Sequence, residues 1–338
     1  MLHCVRFGSR LAEELCMKHS AILLGSVATL ACLSVAGLAP AESLRVAVIS
    51  QSANNWPLFV AEEKGYFQRE GLQIEIVVTG DSGRQLDGLA AGTYHITHQA
   101  ADHFIQATED GKDLFIFMTI ARPIFDFVVA PDIRSIKDLR GKTIALDRPT
   151  TGYWLLFQKA FARNGLSPEA YKTLPNLGGA ENRFLAVKEG RAQGTFLNPP
   201  LSLEAIAQGF PRLTTLAEHF PDFPATSGGA RRDWAKANEA TLVRYLRASI
   251  SAIDWLLDPK NRDEALRIFK NRVQVDERHL QPSYDAFVRT GLVRGGKLSI
   301  EGTQQVLDLM AESGQLKSPL PPPEKYADPK YLQKAAER

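Results

Sequence analysis

Ser50-Gln51-Ser52-Ala53-Asn54-Asn55-Trp56 gathers hydroxyls, amides and one indole directly after the apolar run Leu44–Ile49. Side chains of these types hydrogen-bond a small polar molecule and cover its flat face. Gln51, Asn54 and Trp56 are the candidates here. Gly80-Asp81-Ser82-Gly83-Arg84 follows the next apolar run and precedes a helical pattern. Gly80 allows a tight turn, and Ser82 is placed to cap a helix whose free N–H groups can face an anion. Arg84 adds a charge-assisted contact to a carboxylate or sulfonate; a solvated Arg beside a capped turn is the plainer alternative.

His98-Gln99-Ala100-Ala101-Asp102 repeats the arrangement, with His98 and Gln99 able to donate and Asp102 read as a cap. Arg122 closes the run Leu114–Ala121 and is either a ligand counter-charge or a surface Arg. In Asp147-Arg148-Pro149-Thr150-Thr151-Gly152-Tyr153-Trp154, Thr150 or Thr151 is the expected N-cap. The N–H groups of Gly152 and Tyr153 would then face a ligand, Tyr153 would cover its apolar body, and Trp154 reads as packing. Asn198-Pro199-Pro200 offers an amide on a stiff loop, and Gly178–Arg183 is a similar turn with mixed donors and acceptors.

The missing chemistry narrows the class. The chain has no phosphate-cradling Gly-rich loop with Lys, no dinucleotide fingerprint, no Gly-x-Ser-x-Gly elbow and no His-Glu-x-x-His. All three cysteines, Cys4, Cys16 and Cys32, precede Ala41. Cleavage there would leave no thiolate for catalysis and no disulfide. His95, His98 and His103 invite a zinc reading, but His95 and His98 would point to opposite faces of a strand. No catalytic set, metal or cofactor is expected.

These loops need a scaffold of alternating strands and helices. Strand-like runs at Leu44–Ile49, Gln73–Thr79, Tyr94–Thr97, Leu114–Ala121 and Phe125–Ala130 interleave with helical patterns. A second series follows at Lys142–Leu146, Lys172–Leu177 and Gly194–Leu197. The expectation is an α/β protein of two βα lobes with largely parallel sheets. Pro131–Lys142 and Phe220–Gly229 read as two crossovers. They divide the chain into a discontinuous first lobe, 42–134 plus 224–338, and a second lobe, 135–223. Two connections make a hinge, and a cleft between lobes favours a ligand. Beyond the proline run Ser318–Pro323, Tyr326 and Tyr331 are expected to dock on the first lobe.

Met17-Lys18-His19, the uncharged run Ala21–Leu38 and Ala39-Pro40-Ala41 read as a cleavable secretory leader spanning 1–41, with Met17 as an alternative start. The sequence before Cys32 fits a lipoprotein less well. The formal net charge of +2 and the lack of a dense basic stripe argue against a nucleic-acid partner. A monomer is expected.

The opening run carries a resemblance. Trp56-Pro57, Lys64-Gly65-Tyr66-Phe67 and Glu70-Gly71-Leu72 resemble the start of solute-binding proteins of nitrate/sulfonate/taurine-type ABC importers. Leu86–Ile96, Ile136–Ala145 and Gly190–Pro200 are similar to later segments of that family, in order. The resemblance covers residue 44 to the end. It departs at His95 and Gln193, where the family often has Asp. It implies a type II periplasmic binding-protein fold, thiamine-pyrimidine-synthase-like, with the two lobes joined by a two-segment hinge. It also implies a periplasmic, non-enzymatic role: a small-molecule ligand held by hinge closure and handed to a membrane permease. The ligand expected is a sulfonate or an aromatic or other organic acid, with a pyrimidine precursor as the alternative. A pyrimidine- or menaquinone-pathway enzyme on the same fold is the rival class, opposed by the leader and by the missing cysteines.

Overall fold

The computed structural model describes residues 41–220 and 223–337. The leader expected at 1–41 therefore lies almost wholly outside the described residues, as do all three cysteines. Ala41–Arg338 forms one compact unit. Among the described residues its ten strands are β1 (Glu42–Val48), β2 (Leu72–Val78), β3 (Ile96–Ala100), β4 (Leu114–Ala121), β5 (Asp126–Val129), β6 (Thr143–Ala145), β7 (Lys172–Leu174), β8 (Gly194–Leu197), β9 (Arg212–Thr215) and β10 (Thr226–Arg231). They build two five-stranded sheets, ordered β2-β1-β3-β10-β4 and β7-β6-β8-β5-β9. In each, the first three strands are parallel and the fourth runs antiparallel to both neighbours.

The helices that matter for the cleft are α1 (Trp56–Glu63), α2 (Ser82–Ala90), α3 (Ala101–Glu109), α4 (Gly152–Arg163), α5 (Ala180–Lys188) and α6 (Leu201–Ala207). The C-terminal part adds α7 (Glu239–Leu257), α8 (Arg262–Arg272), α9 (Glu277–Tyr284), α10 (Ile300–Glu312) and α11 (Lys330–Ala336). Among the described residues, no helix is long and apolar enough to cross a membrane.

The strands occur where the apolar runs predict, but the sheet boundary differs. Phe125–Ala130 reads as a last strand of the first lobe. Instead β5 pairs with β8 and β9 in the second sheet. The chain therefore crosses between Ala121 and Asp126, ahead of the expected boundary at 135, and returns between Thr215 and Thr226. Pro131–Lys142 is a loop inside the second lobe, tightened by a Ser135/Asp138 capping box. An apolar run shows that a strand is buried, but not which sheet it joins.

The second expected crossover also conceals a strand. Thr226-Ser227-Gly228-Gly229-Ala230-Arg231 has no alternation, yet β10 lies between β3 and β4. Its glycines make room for neighbouring rings. A Cβ on Gly229 would sit 2.3 Å from the Phe104 ring, and one on Gly228 2.8 Å from Phe117.

The two departures from the family pattern occupy equivalent places. His95 Nδ1 accepts the Arg45 N–H of β1 at 2.9 Å, and Gln193 Oε1 accepts the Thr143 N–H of β6 at 3.0 Å. Neutral acceptors thus satisfy the start of the corresponding strand in each lobe.

The C-terminal helices cover the first sheet. α7 packs on α1 and α11. Tyr326 is fully buried and donates to Glu109 Oε1 at 2.6 Å, and Ala327 bridges to Ile116 of β4. Tyr331 packs against Phe115, with ring centroids 5.6 Å apart. α10 touches both α3 and α4, so one apolar cluster runs from the first lobe into the second.

Candidate functional site

The carboxyl ends of the parallel strands in both sheets face one another across a cleft. The cavity between them holds about 640 Å³ not filled by protein atoms, part of it open to solvent. From the first lobe come Ser52, Asn54 and Asn55 after β1, and His98, Gln99 and His103 at the β3–α3 junction. The second lobe supplies Asp147 and Thr151 between β6 and α4, Tyr153 in the first turn of α4, Arg183 on α5, and Phe196 and Asn198 around the end of β8.

Direct hydrogen bonds close the lobes on each other. The Gly152 N–H, first in α4, donates to Asp102 Oδ2 of the other lobe at 2.6 Å. A Cβ on Gly152 would lie 2.7 Å from Asp102 Oδ1, so glycine permits this approach. Ser82 Oγ donates to Asp147 Oδ2 at 3.1 Å, and the Gly179 N–H to the Gly80 carbonyl at 3.2 Å. His103 Nε2 lies 3.2 Å from Thr151 Oγ1.

His98 is held between Tyr245 of α7 (Nε2 to the hydroxyl, 2.8 Å) and Asn55 (3.4 Å). Burial pushes its imidazole from 6.5 down to about 3, so it is neutral at physiological pH. Gln99 Nε2 donates to the Ser82 carbonyl at 3.2 Å and lies 2.9 Å from His103 Nδ1. Tyr153 donates to the Ala225 carbonyl at 2.7 Å and lies against Phe125, ring centroids 4.1 Å apart. Burial raises its phenol pKa.

Arg183 carries the positive charge of the cavity wall. It is 5 % exposed. Nη1 donates to the Gly178 carbonyl at 2.6 Å and Nη2 to the Phe196 carbonyl at 2.9 Å. Its guanidinium carbon sits 4.4 Å from the Phe196 ring centroid. Nε has no hydrogen-bond partner, and no carboxylate among the described residues lies within salt-bridge distance. Burial lowers its pKa, while the charges of Asp147 and Glu181 act in the opposite direction.

The residues singled out from the sequence divide sharply. Asn54, His98, Gln99, Thr151, Tyr153 and Asn198 line the cavity. Gln51 and Gly80 line a wider vestibule beside it, to which Asn198 also contributes. Ser82 ties the lobes together rather than capping α2; Asp81 is the cap, accepting the Arg84 N–H at 2.8 Å. Thr150 is exposed and outside the cavity lining, so Thr151 takes the N-cap position of α4. Its side chain makes no cap hydrogen bond; Asp102 serves the helix end instead.

Three expectations fail. Trp56 is fully buried, stacks on Phe269 at 4.0 Å and donates its indole N–H to the Ala265 carbonyl at 3.1 Å. It is an anchor for α8, not a wall of the cleft. Arg84 is exposed and reaches only the Thr79 carbonyl, at 3.3 Å. Arg122 is also exposed, and its backbone N–H goes to the Gly291 carbonyl at 2.7 Å.

Arg183 reads in the sequence as part of a mixed turn, yet the sequence carries a sharper signal for it. Ala180, Arg183, Phe184 and Val187 follow the spacing of one helix face, so the charge interrupts an apolar stripe. Arg84 is off the stripe of its own helix, where Ser82, Gln85, Leu86 and Leu89 are buried.

Two facing lobes with a polar cleft between them define a type II periplasmic binding-protein architecture, and comparison with known proteins gives the family. The family model described as NMT1/THI5 like matches residues 52–262, more than half of the chain. The chain belongs to this family. The bicarbonate transport ATP-binding protein CmpC of Synechocystis is 25% identical over 244 residues, covering 64% of this chain. The chain spans only 35% of that relative's length. Among solved structures, the periplasmic nitrate-binding protein NrtA from Synechocystis has a TM-score of 0.73 at 16% identity, covering 88% of each chain. The alkanesulfonate-binding protein SsuA from Xanthomonas axonopodis pv. citri, bound to MOPS, has a TM-score of 0.71 at 17% identity. That match covers 86% of this chain and 100% of the other. At these identities the structural likeness establishes the fold.

Proposed function

We propose that this protein is the extracytoplasmic solute receptor of an ABC importer and that it binds a small organic anion between its lobes. The observation that carries the anion is Arg183. A buried charge is costly unless it is paired. This one lines the cavity, its Nε–H is buried and unused, and no carboxylate among the described residues pairs with it. A sulfonate or carboxylate of the ligand supplies the missing counter-charge. Arg84 and Arg122, assigned this role from sequence, are replaced in it by Arg183.

The connections at 122–125 and 216–225 form the hinge. A ligand touching both walls selects the closed arrangement, because only closure completes its contacts. The secretory leader expected at 1–41 and the transport role of the CmpC relative support delivery to a membrane permease. The protein acts as a monomer and binds without turnover; the described residues contain no thiol.

The test is calorimetric titration and thermal shift against sulfonates, aromatic acids and neutral pyrimidines. Saturation at a hundredfold excess over Kd adds about 2.7 kcal/mol of stability. Arg183→Ala should weaken anion binding by about thirtyfold or more, the loss from removing one partner of a buried charge pair. Tight binding of a neutral pyrimidine with no response to any anion would overturn the reading, as would an Arg183→Ala protein that binds anions unchanged.

A further inference from the structure

Parting the lobes breaks bonds that they make directly with each other. Asp102, in the first turn of α3, is 2 % exposed. Its Oδ2 accepts the Gly152 N–H of the second lobe at 2.6 Å. Gly152 is buried and opens the 12-residue helix α4, whose own N-cap residue, Thr151, makes no side-chain cap bond. The start of α4 is therefore served by a carboxylate from across the cleft, where the helix dipole strengthens a charge-assisted hydrogen bond. Further bonds join the same two faces: Ser82 to Asp147, the Gly179 N–H to the Gly80 carbonyl, and His103 to Thr151. The last has a defined direction. Gln99 Nε2 can only donate, so His103 Nδ1 accepts, and Nε2 carries the hydrogen given to Thr151 Oγ1. Each of these bonds joins protein to protein.

We propose that Asp102 is a latch: its bond to Gly152 holds the lobes together on its own account, so that the receptor populates the closed arrangement before any ligand adds its contacts. The proposal shares the hinge with the reading above but does not depend on the ligand being an anion. Asp102 does not line the cavity, so it is a positioning residue that acts through Gly152. In the open form water reaches both the carboxylate and the N–H. Closure without the carboxylate would leave the Gly152 N–H buried and unmet, which is costlier than the loss of an average hydrogen bond. The partner position is equally specific, since a Cβ on Gly152 would lie 2.7 Å from Asp102 Oδ1 and 2.8 Å from its carboxyl carbon. A methyl group there would wedge the faces apart. A receptor that latches itself loses less affinity to its conformational change, and a bound ligand leaves only after the latch has broken.

The experiment measures the distance between the lobes by double electron–electron resonance. Spin labels are placed on Val78→Cys and Leu185→Cys, exposed positions of the first and second lobes, with Cys4, Cys16 and Cys32 replaced by Ser. The protein is unfolded, dialysed and refolded to strip carried-over ligand, and nothing is added. The parent protein should show a closed population. Asp102→Ala should lower its ratio of closed to open about tenfold or more, the scale of one hydrogen bond to a charged group. Asp102→Asn, which keeps an acceptor for the Gly152 N–H, should fall between the two. Gly152→Ala should open the cleft from the other side, and the double variant with Asp102→Ala should be no more open than Asp102→Ala alone, because both changes act on one contact. Cooperative melting of each variant separates opening from misfolding, and Asp102→Asn with Gly152→Ala carries the test if the alanine at 102 does not fold. A parent protein found only open, an Asp102→Ala distribution equal to the parent's, or additive effects at 102 and 152 would overturn the latch. None of these outcomes bears on the anion, which the titrations with Arg183→Ala decide separately.

Discussion

Ser50–Trp56 and Asp147–Trp154 hold the same place in their two lobes. Each leaves the second strand of its sheet, β1 or β6, and each runs to a tryptophan in the first turn of the following helix. Both indoles are packed away from the cavity. Trp56 lies under the C-terminal helices, stacked on Phe269, and Trp154 makes edge contacts with Phe161 and Tyr171 inside its own lobe. The polar residues between strand and indole differ instead. The first loop offers neutral amides, and the second offers the carboxylate of Asp147 and the hydroxyl of Thr151. The conspicuous aromatic in each loop builds the lobe, and the small polar residues before it set the chemistry of the cleft.

The two central antiparallel strands make a second such pair. β10 is Gly-rich and takes in the rings of Phe104 and Phe117 from its neighbours. β5 occupies the matching place but carries its own ring, Phe127, and the space is made on β8, where a Cβ on Gly194 would lie 2.8 Å from that ring. In the first sheet the rings come from α3 and β4 onto β10; in the second the ring stands on β5 and the glycine on β8. Close packing constrains the sum of the neighbouring side chains, not which strand bears the large one.

The sharpest way to break the first comparison is Trp56→Ala. It should cost about 3–5 kcal/mol in denaturant unfolding, the scale for emptying a buried aromatic site. Trp56→Phe should leave ligand affinity unchanged within about twofold. A tenfold loss of affinity in Trp56→Phe would return the indole to the cleft. Gly229→Ala tests the second comparison, with an expected loss of up to about 3 kcal/mol from forcing Phe104 aside. Recovery of most of that stability by adding Phe104→Leu would show that the ring is what the glycine accommodates.

His98 gives a pH signature to the first lobe. Its folded pKa of about 3 lies below the ordinary 6.5, so between those values the unfolded chain binds the extra proton. Stability from this group is therefore complete above about 6.5 and is lost as pH falls towards 3; at pH 5 the loss is about 2 kcal/mol. The slope of unfolding free energy against pH should be shallower in His98→Gln than in wild type over this window. Equal slopes would mean that the imidazole is not held neutral.

The smallest effects are expected where the sequence seemed most eloquent. Arg84→Ala and Arg122→Ala should change stability by no more than about 0.5 kcal/mol, as for surface substitutions generally. They should also leave anion affinity within about twofold, measured by the same titrations that expose Arg183. A large effect at either would move the counter-charge out of the buried site.

Much of this was readable because period-2 and period-3.6 patterns report burial directly. β4 spans Leu114–Ala121, as its apolar run predicts, and α1 starts at Trp56. β10 was not readable, because its burial rests on backbone against neighbouring rings and leaves no apolar residues to count. In the cleft, the strand-end loops after β1, β3, β6 and β8 were legible as polar clusters between periodic segments. Their individual roles were not. Ser82 looks like a cap and is an interlobe donor, while Asp102 looks like a cap for its own helix and serves α4 of the other lobe. Both contacts join residues far apart in sequence, which local spacing cannot report.

The sequence by itself determined most of the strands and helices, their alternation in two βα series and the family resemblance. Those follow from side-chain periodicity, turn residues and short motifs, all of them local. The tertiary structure alone decided which sheet receives Asp126–Val129 and which indole is covered, and it buried the arginine that sits on an apolar stripe. Burial of a charge is set by what packs over it. Arg84 and Arg183 are chemically identical near the starts of their helices, but only Arg183 shares a face with apolar residues, and the fold packs that face while it leaves Arg84 in solvent.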